Sequence, residues 1–257
     1  MVPPSGRRRL AALTDGVSTT RMRRRGGLNP LLGQARSTMK RHSIQGQHVL
    51  SATQITPQDL DVLFTYAEYI SKAAPSEYRD VLSDKTLACV FYEPSTRTSS
   101  SFVAAMAKLG GRVIPITQGV QFSSVAKGET LEDTIRVLGQ YADGIVLRHP
   151  ETGAVRQAAE VSPVPIINAG DGIGEHPTQA FTDLYTIRRE VGRLENLHVV
   201  FVGDLAYGRT VHSLIKLLVR YPNIRISLVS PEKLRLDQSI PPDILWSETF
   251  VRDGLHE

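Results

Sequence analysis

From residue 47 onward the chain alternates short apolar runs with amphipathic stretches, and the two periodicities assign its elements. Six short runs rich in apolar residues read as strands buried on both faces: residues 85–92 (KTLACVFY), 112–117, 143–149, 164–168, 198–203 and 225–230. Between them apolar residues recur at helical spacing. One such set is Leu60, Leu63, Phe64, Ala67 and Ile70, opened by Thr56 as N-cap, Pro57 at the first helical position and Asp59 in the first turn. The others are Phe102, Met106 and Leu109; Leu131, Ile135 and Leu138; Ala180, Leu184, Ile187 and Val191; and Val211, Leu214, Leu218 and Tyr221. Strands alternating with helices predict an α/β fold of doubly wound parallel sheets with right-handed crossovers. Ligands of such sheets bind beyond the carboxyl ends of the strands, so the loops leaving each strand are where chemistry belongs.

Composition changes this picture little. A chain of 257 residues, 41% hydrophobic and 22% charged, excludes collagen-like, coiled-coil and wholly disordered classes and suffices for one large or two modest domains. No run approaches the roughly 18 uncharged apolar residues of a membrane span. The single cysteine, Cys89, lies in the apolar run LACVFY and reads as a small core residue. One cysteine makes neither an internal disulfide nor a zinc site, which points to a reducing, cytoplasmic setting and to chemistry without metal or cofactor. The net charge of +4 divides unevenly: residues 1–46 hold nine Arg and one Lys against Asp15, whereas the other 211 hold 20 basic and 25 acidic side chains. The basic excess therefore belongs to a Gly, Ser and Arg-rich leader, and implies no nucleic-acid partner for the mildly acidic body. The leader suits an organelle transit peptide or a disordered linker within a larger polypeptide.

Candidate chemistry gathers at the strand ends. The run ending at Tyr92 passes into EPSTRTSSSF, where a helix begins. A helix N-terminus offers unpaired N–H groups and partial positive charge; Ser95, Thr96 and Thr98 add hydroxyls and Arg97 a planar fork suited to phosphate oxygens. Strand 143–149 ends in Arg148 and His149, and strand 164–168 leads through NAGDGIGEHPTQ, where His176 and Gln179 stand three apart at a helix start. Singly, each has a plainer reading as a helix cap or a surface ion-pair partner. Jointly, three strand ends delivering Arg, Arg, His, Gln and Thr groups argue against coincidence. Ser123 and Lys127 in QFSSVAKGETLEDT form a fourth element, a clamp for phosphate or carboxylate or else a solvated charge. The fifth, VGDLAYGRTVHS, carries Arg209 at a helix start; its glycines are spaced G-x-x-x-x-G with no Walker lysine, which rejects both nucleotide-binding motifs.

Taken in order, FYEPSTRTSSSF, VAKGETLEDT, VLRHP, INAGDGIGEHPTQAFTDLYTI and VGDLAYGRTVHSL resemble the transcarbamoylase family from about Gly46 to about Leu236. HPTQ and KGETLEDT favour its aspartate branch over the ornithine branch, and the likeness is greatest to the form fused into a eukaryotic multienzyme pyrimidine-synthesis polypeptide. The resemblance implies transfer of the carbamoyl group of carbamoyl phosphate to the amine of L-aspartate, in a homotrimer. It implies that Ser95, Thr96, Arg97 and Thr98 hold the phosphate. It gives Arg148, His176 and Thr98 to the carbamoyl carbonyl and Gln179 to its amide nitrogen, so that Arg97, Thr98, Arg148 and His176 form the catalytic set. Lys127 and Arg209 would meet the aspartate carboxylates, with Ser123 and Lys127 reaching into a neighbouring subunit. On this reading residues 1–46 are leader or linker, 47–180 a carbamoyl phosphate-binding domain, and 181–257 a truncated aspartate-binding domain. The family's Arg-x-Gln segment and His-Pro-Leu-Pro loop do not occur. Their absence opens an alternative, a noncatalytic carbamoyl phosphate-binding or trimer-assembly module; an ornithine-type enzyme is a weaker one.

Overall fold

The computed structural model describes residues 44–116 and 127–236; the basic leader up to residue 43, the segment 117–126 and the tail from 237 lie outside them. Helix α1 (Pro57–Lys72) follows directly from its first four residues. Thr56 Oγ1 accepts from Asp59 N–H at 3.1 Å while the Asp59 carboxylate accepts from Thr56 N–H at 3.0 Å, a reciprocal cap that satisfies two otherwise orphaned donors. A four-residue helical turn, Pro75–Tyr78, leads to strand β1 (Thr86–Phe91). Then come α2 (Thr96–Lys108), β2 (Arg112–Ile116), α3 (Leu131–Leu138), β3 (Gly144–His149), α4 (Ala154–Val161), β4 (Ile166–Asp171), α5 (Pro177–Val191), β5 (His198–Val202), α6 (Arg209–Leu218) and β6 (Arg225–Val229).

Among the described residues the named strands pair in parallel. The first four strands form one sheet in the order β2-β1-β3-β4, and β5 and β6 form a second. Alternation along each strand feeds two cores. Ala88, Val90, Ile145, Leu147 and Ile166 pack with Ile135 and Leu138 of α3 and Val155 and Ala158 of α4. Cys89, Phe91, Val146 and Ala169 face the other way, beneath Phe102 of α2. Burial drives the Cys89 thiol up to about 11, so it is the inert core residue its neighbourhood predicts. A third core joins α1 (Leu60, Phe64) and α5 (Leu184) to Leu214, Leu217 and Leu218 of α6 and to Phe201, Ile226 and Leu228 of the small sheet. On the opposite face of β5, Val200 and Val202 remain 51% and 60% exposed.

Two elements depart from the sequence reading. Helix α4, which the sequence reading did not assign, is short and built mostly on alanine and valine; Val155 and Ala158 are buried in the core, with Ala159 and Val161 packed against it. Strand β4 runs three residues further than expected, through Asn168, Ala169 and Gly170 to Asp171. Its open edge is covered by the chain entering the domain: Val49 N–H donates to Ile166 C=O and Val49 C=O accepts from Asn168 N–H, both at 2.8 Å, while Asn168 Nδ2 holds Leu50 C=O. Position 180, where the sequence reading divides the two parts, lies within the continuous helix α5.

Candidate active site

The connection from β1 leads to β2 on one side, whereas β3 pairs on the other, so the chain reverses direction between β1 and β3. This switch point leaves a crevice at the carboxyl ends of both strands, flanked by the turns that start α2 and α4. A cavity of about 960 Å³ opens there. Arg97 and Thr98 line it from the first turn of α2, Arg148 from the end of β3, His176, Thr178 and Gln179 from the start of α5, and Arg209 from the start of α6. Ser95 is the N-cap of α2 and Thr96 its first residue, beside the cavity without lining it. Of the positions expected from sequence, Arg97, Thr98, Arg148, His176, Gln179 and Arg209 are thus brought together. Lys127 is exposed and does not line this cavity; Ser123 lies outside the described residues.

One carboxylate organises the arginines. Glu93 Oε1 accepts from Arg148 Nε at 2.5 Å and from Arg209 Nη2 at 2.8 Å. Burial penalises the Glu93 charge, but hydrogen bonds and attraction from Arg209 and Arg148 outweigh it and hold the carboxyl below its usual range. Arg209 also donates through Nη1 to Gly172 C=O at 2.8 Å. Each guanidinium has five N–H donors, so both keep several free for a ligand while their orientation is fixed. Gly170 makes this approach possible: its φ is +128°, and a Cβ there would stand 3.2 Å from Arg209 Nη1 and 3.4 Å from Arg148 Cγ.

His176 occupies the N-cap position of α5, as its place before Pro177 suggests, but its side chain makes no capping bond. Its backbone N–H donates to the buried Ser213 Oγ at 2.9 Å, and its Nδ1 lies 3.3 Å from Thr178 Oγ1. The side chain is 5% exposed; burial, then the charges of Arg148 and Arg209, push its pKa down to about 4. At neutral pH it is therefore an uncharged imidazole, a hydrogen-bonding group without charge of its own. Gln179 donates its amide nitrogen to Asp183 at 2.8 Å, which leaves its carbonyl oxygen as the end able to accept. The site thus combines cations, a helix N-terminus and neutral hydrogen-bonding groups, a set that suits a small phosphorylated carbonyl compound and a developing oxyanion.

Glu93 and Asp183 carried no role in the sequence reading. Glu93 left a signal, being an acid placed between a buried strand and Pro-Ser-Thr-Arg, where clustered arginines need a counter-charge. Asp183 left none beyond its place one turn after Gln179.

The chain is similar to known proteins in both sequence and fold. Residues 47–189 match the family model "Aspartate/ornithine carbamoyltransferase, carbamoyl-P binding domain". The chain is 52% identical over 205 residues to the multifunctional protein pyr-3 of Neurospora crassa, covering 79% of this chain and 11% of that protein. It is 49% identical over 210 residues to the aspartate carbamoyltransferase catalytic subunit of Methanothrix thermoacetophila, covering 82% of this chain and 68% of the subunit. Among solved structures, the catalytic subunit of M. jannaschii aspartate transcarbamoylase superimposes with a TM-score of 0.71 at 50% identity, over 77% of this chain and 65% of that one. Trypanosoma cruzi aspartate transcarbamoylase in complex with carbamoyl phosphate and aspartate superimposes with a TM-score of 0.71 at 42% identity, over 77% of this chain and 66% of that one. The chain therefore spans about a tenth of the multifunctional relative and about two thirds of the catalytic subunits.

Proposed function

Because the chain belongs to the aspartate carbamoyltransferase family, we propose that it transfers the carbamoyl group of carbamoyl phosphate to the α-amine of L-aspartate, giving N-carbamoyl-L-aspartate and phosphate. The observation that carries the reading is the convergence of Arg97, Arg148 and His176, from three separate strand ends, on one cavity at the switch point.

In this scheme the phosphate lies against the start of α2, where backbone N–H groups, the hydroxyls of Ser95, Thr96 and Thr98, and Arg97 neutralise its charge. The carbonyl oxygen takes hydrogen bonds from Arg148, Thr98 and the neutral His176, and the carbamoyl nitrogen donates to the free oxygen of Gln179. Attack by the unprotonated amine forms the C–N bond and leaves an oxyanion on the tetrahedral carbon. Collapse breaks the C–O bond to phosphate, and the proton shed by nitrogen passes to the departing phosphate. No protein nucleophile is needed; the site lowers the barrier by alignment and by donors aimed at the oxyanion. Arg209, steadied by Glu93 and Gly172, presents its remaining donors to an aspartate carboxylate.

The same proposal carries a division of labour and a setting. Residues 47–180 bind carbamoyl phosphate, and the part from 181 binds aspartate. The protein works in the cytoplasm as a homotrimer in which Ser123 and Lys127 serve the neighbouring site. The multifunctional relative supports placing it within a multienzyme polypeptide, with residues 1–46 as linker. The test is carbamoyl aspartate formation by the full chain and by Arg97→Ala. Turnover lost in the variant supports the assignment, and equal rates contradict it. Carbamoyl phosphate binding without turnover favours the binding-module reading.

A further inference from the structure

The loop that carries His176 is gripped from outside the cavity as firmly as from within. Its backbone closes on itself, Asp171 N–H donating to Glu175 C=O at 3.1 Å and Gly174 N–H to Asp171 C=O at 2.8 Å. Glu175, the residue before His176, does not line the cavity. Its carboxylate instead gathers three donors from two distant parts of the chain: Ser51 Oγ and Lys216 Nζ on Oε1, and Ala52 N–H on Oε2, each at 2.8 Å. The Glu175 and Lys216 side chains are only 16% and 28% exposed.

Lys216 belongs to a pattern on α6. Arg209, Ser213 and Lys216 stand at i, i+4 and i+7, on one face of the helix. Each holds one point of the loop: Arg209 holds Gly172 C=O, Ser213 holds His176 N–H, and Lys216 holds the Glu175 carboxylate. The helix therefore lies along the loop. Its first turn puts Arg209 into the cavity, and its outer end, about 10 Å further on at 1.5 Å per residue, is fastened by the ion pair.

We propose that Glu175 is a positioning residue whose pair with Lys216 sets the register of α6 against the loop Gly172–His176, and with it the placement of Arg209 relative to His176 across the cavity. This deepens the catalytic reading above and rests on it. The phosphate grip at the start of α2 takes no contact from the pair, so its loss acts on alignment and spares the hold on phosphate. A displacement near 1 Å in such a site costs about 100-fold in rate.

The experiment compares the full chain with Glu175→Gln, Lys216→Met, the double variant and Lys216→Arg. Each single variant is expected to lower kcat by about 10 to 100-fold, with KM for carbamoyl phosphate within about threefold. The double variant should be no worse than the poorer single one, because both break one link. Lys216→Arg should restore most of kcat. A second readout needs no turnover: NMR titration of the His176 imidazole, which faces Arg148 from β3, Arg209 from α6 and Glu93 from the β1–α2 turn. Its midpoint should rise toward the ordinary histidine range in Glu175→Gln and Lys216→Met, and stay in Lys216→Arg. Single variants with unchanged kcat and unchanged His176 titration overturn the proposal, as does a double variant that multiplies the two losses. Should Lys216→Met not fold, Ser51→Ala removes one hydrogen bond from the same carboxylate and must shift His176 in the same direction. A wild-type chain that neither binds carbamoyl phosphate nor turns over sinks the catalytic reading, and the His176 titration then decides the positioning claim alone.

Discussion

At the residue scale the account turns on Arg148 and His176. One spends only its Nε–H on Glu93 and the other is buried and uncharged, and in the proposed reaction both donate to the carbamoyl oxygen. Removing one well-placed oxyanion donor costs about 100 to 1000-fold in kcat, and Arg148→Ala and His176→Ala are each expected in that range by steady-state carbamoyl aspartate assay. His176 also predicts a pH dependence of stability. Its folded pKa of about 4 lies below the ordinary value of 6.5, so the unfolded chain binds the proton more readily. This contribution is fully present above pH 6.5 and falls away as pH drops toward 4, by on the order of 3 kcal/mol across the window. Urea denaturation between pH 4 and 7 should show that slope, and His176→Gln should lose most of it. Glu93, with its lowered pKa, keeps its link to the two arginines until pH falls below the usual carboxylate range. Glu93→Gln is expected to raise KM for both substrates, because Arg148, which serves carbamoyl phosphate, and Arg209, which serves aspartate, lose the same carboxylate. Steady-state kinetics with each substrate varied in turn checks this.

At the scale of elements, much was legible because burial on both faces leaves an unmistakable trace. Strands such as LACVF and GIVLRH are apolar at both phases of the alternation, and their bounds fall within two residues of the sequence reading. The N-cap of α1 was equally plain, since Thr, Pro and Asp at those spacings have few other uses. What stayed hidden depends on partners far along the chain. Strand β4 is extended by its shifted register against β3, where His149 pairs with Asp171, and by the bridge from Asp171 to Glu175, neither of which its own residues encode. The site split the same way: residue types able to hold phosphate announced themselves, whereas Ser213 and Glu175 gained meaning only from a backbone and a lysine brought to them by folding. Gly170 ties the two scales together. Gly170→Ala strains a positive φ and crowds both arginines, and should cost about 1 to 3 kcal/mol in chemical denaturation together with a clear loss of aspartate affinity.

For the whole molecule, the two sheets have different surroundings. The four-stranded sheet is covered by helices on both faces and its β4 edge by the chain at Val49, whereas β5 leaves Val200 and Val202 open. The rigid part of the site, at β1, β3 and the start of α2, belongs to the well-covered sheet. Binding of the phosphorylated substrate should therefore survive in this chain independently of how well aspartate is held. Sedimentation should give three copies per particle if Lys127 serves a neighbouring cavity; a monomer retaining full activity would remove that role. The most direct measurement is calorimetric titration of carbamoyl phosphate into the full chain, into Arg148→Ala, and into Lys233→Ala, a control at an exposed position that does not line the cavity. The account predicts one saturable site displaced by inorganic phosphate, weakened at least about tenfold in Arg148→Ala and unchanged in the control. Equal affinity in all three proteins, or no binding to any, would contradict it.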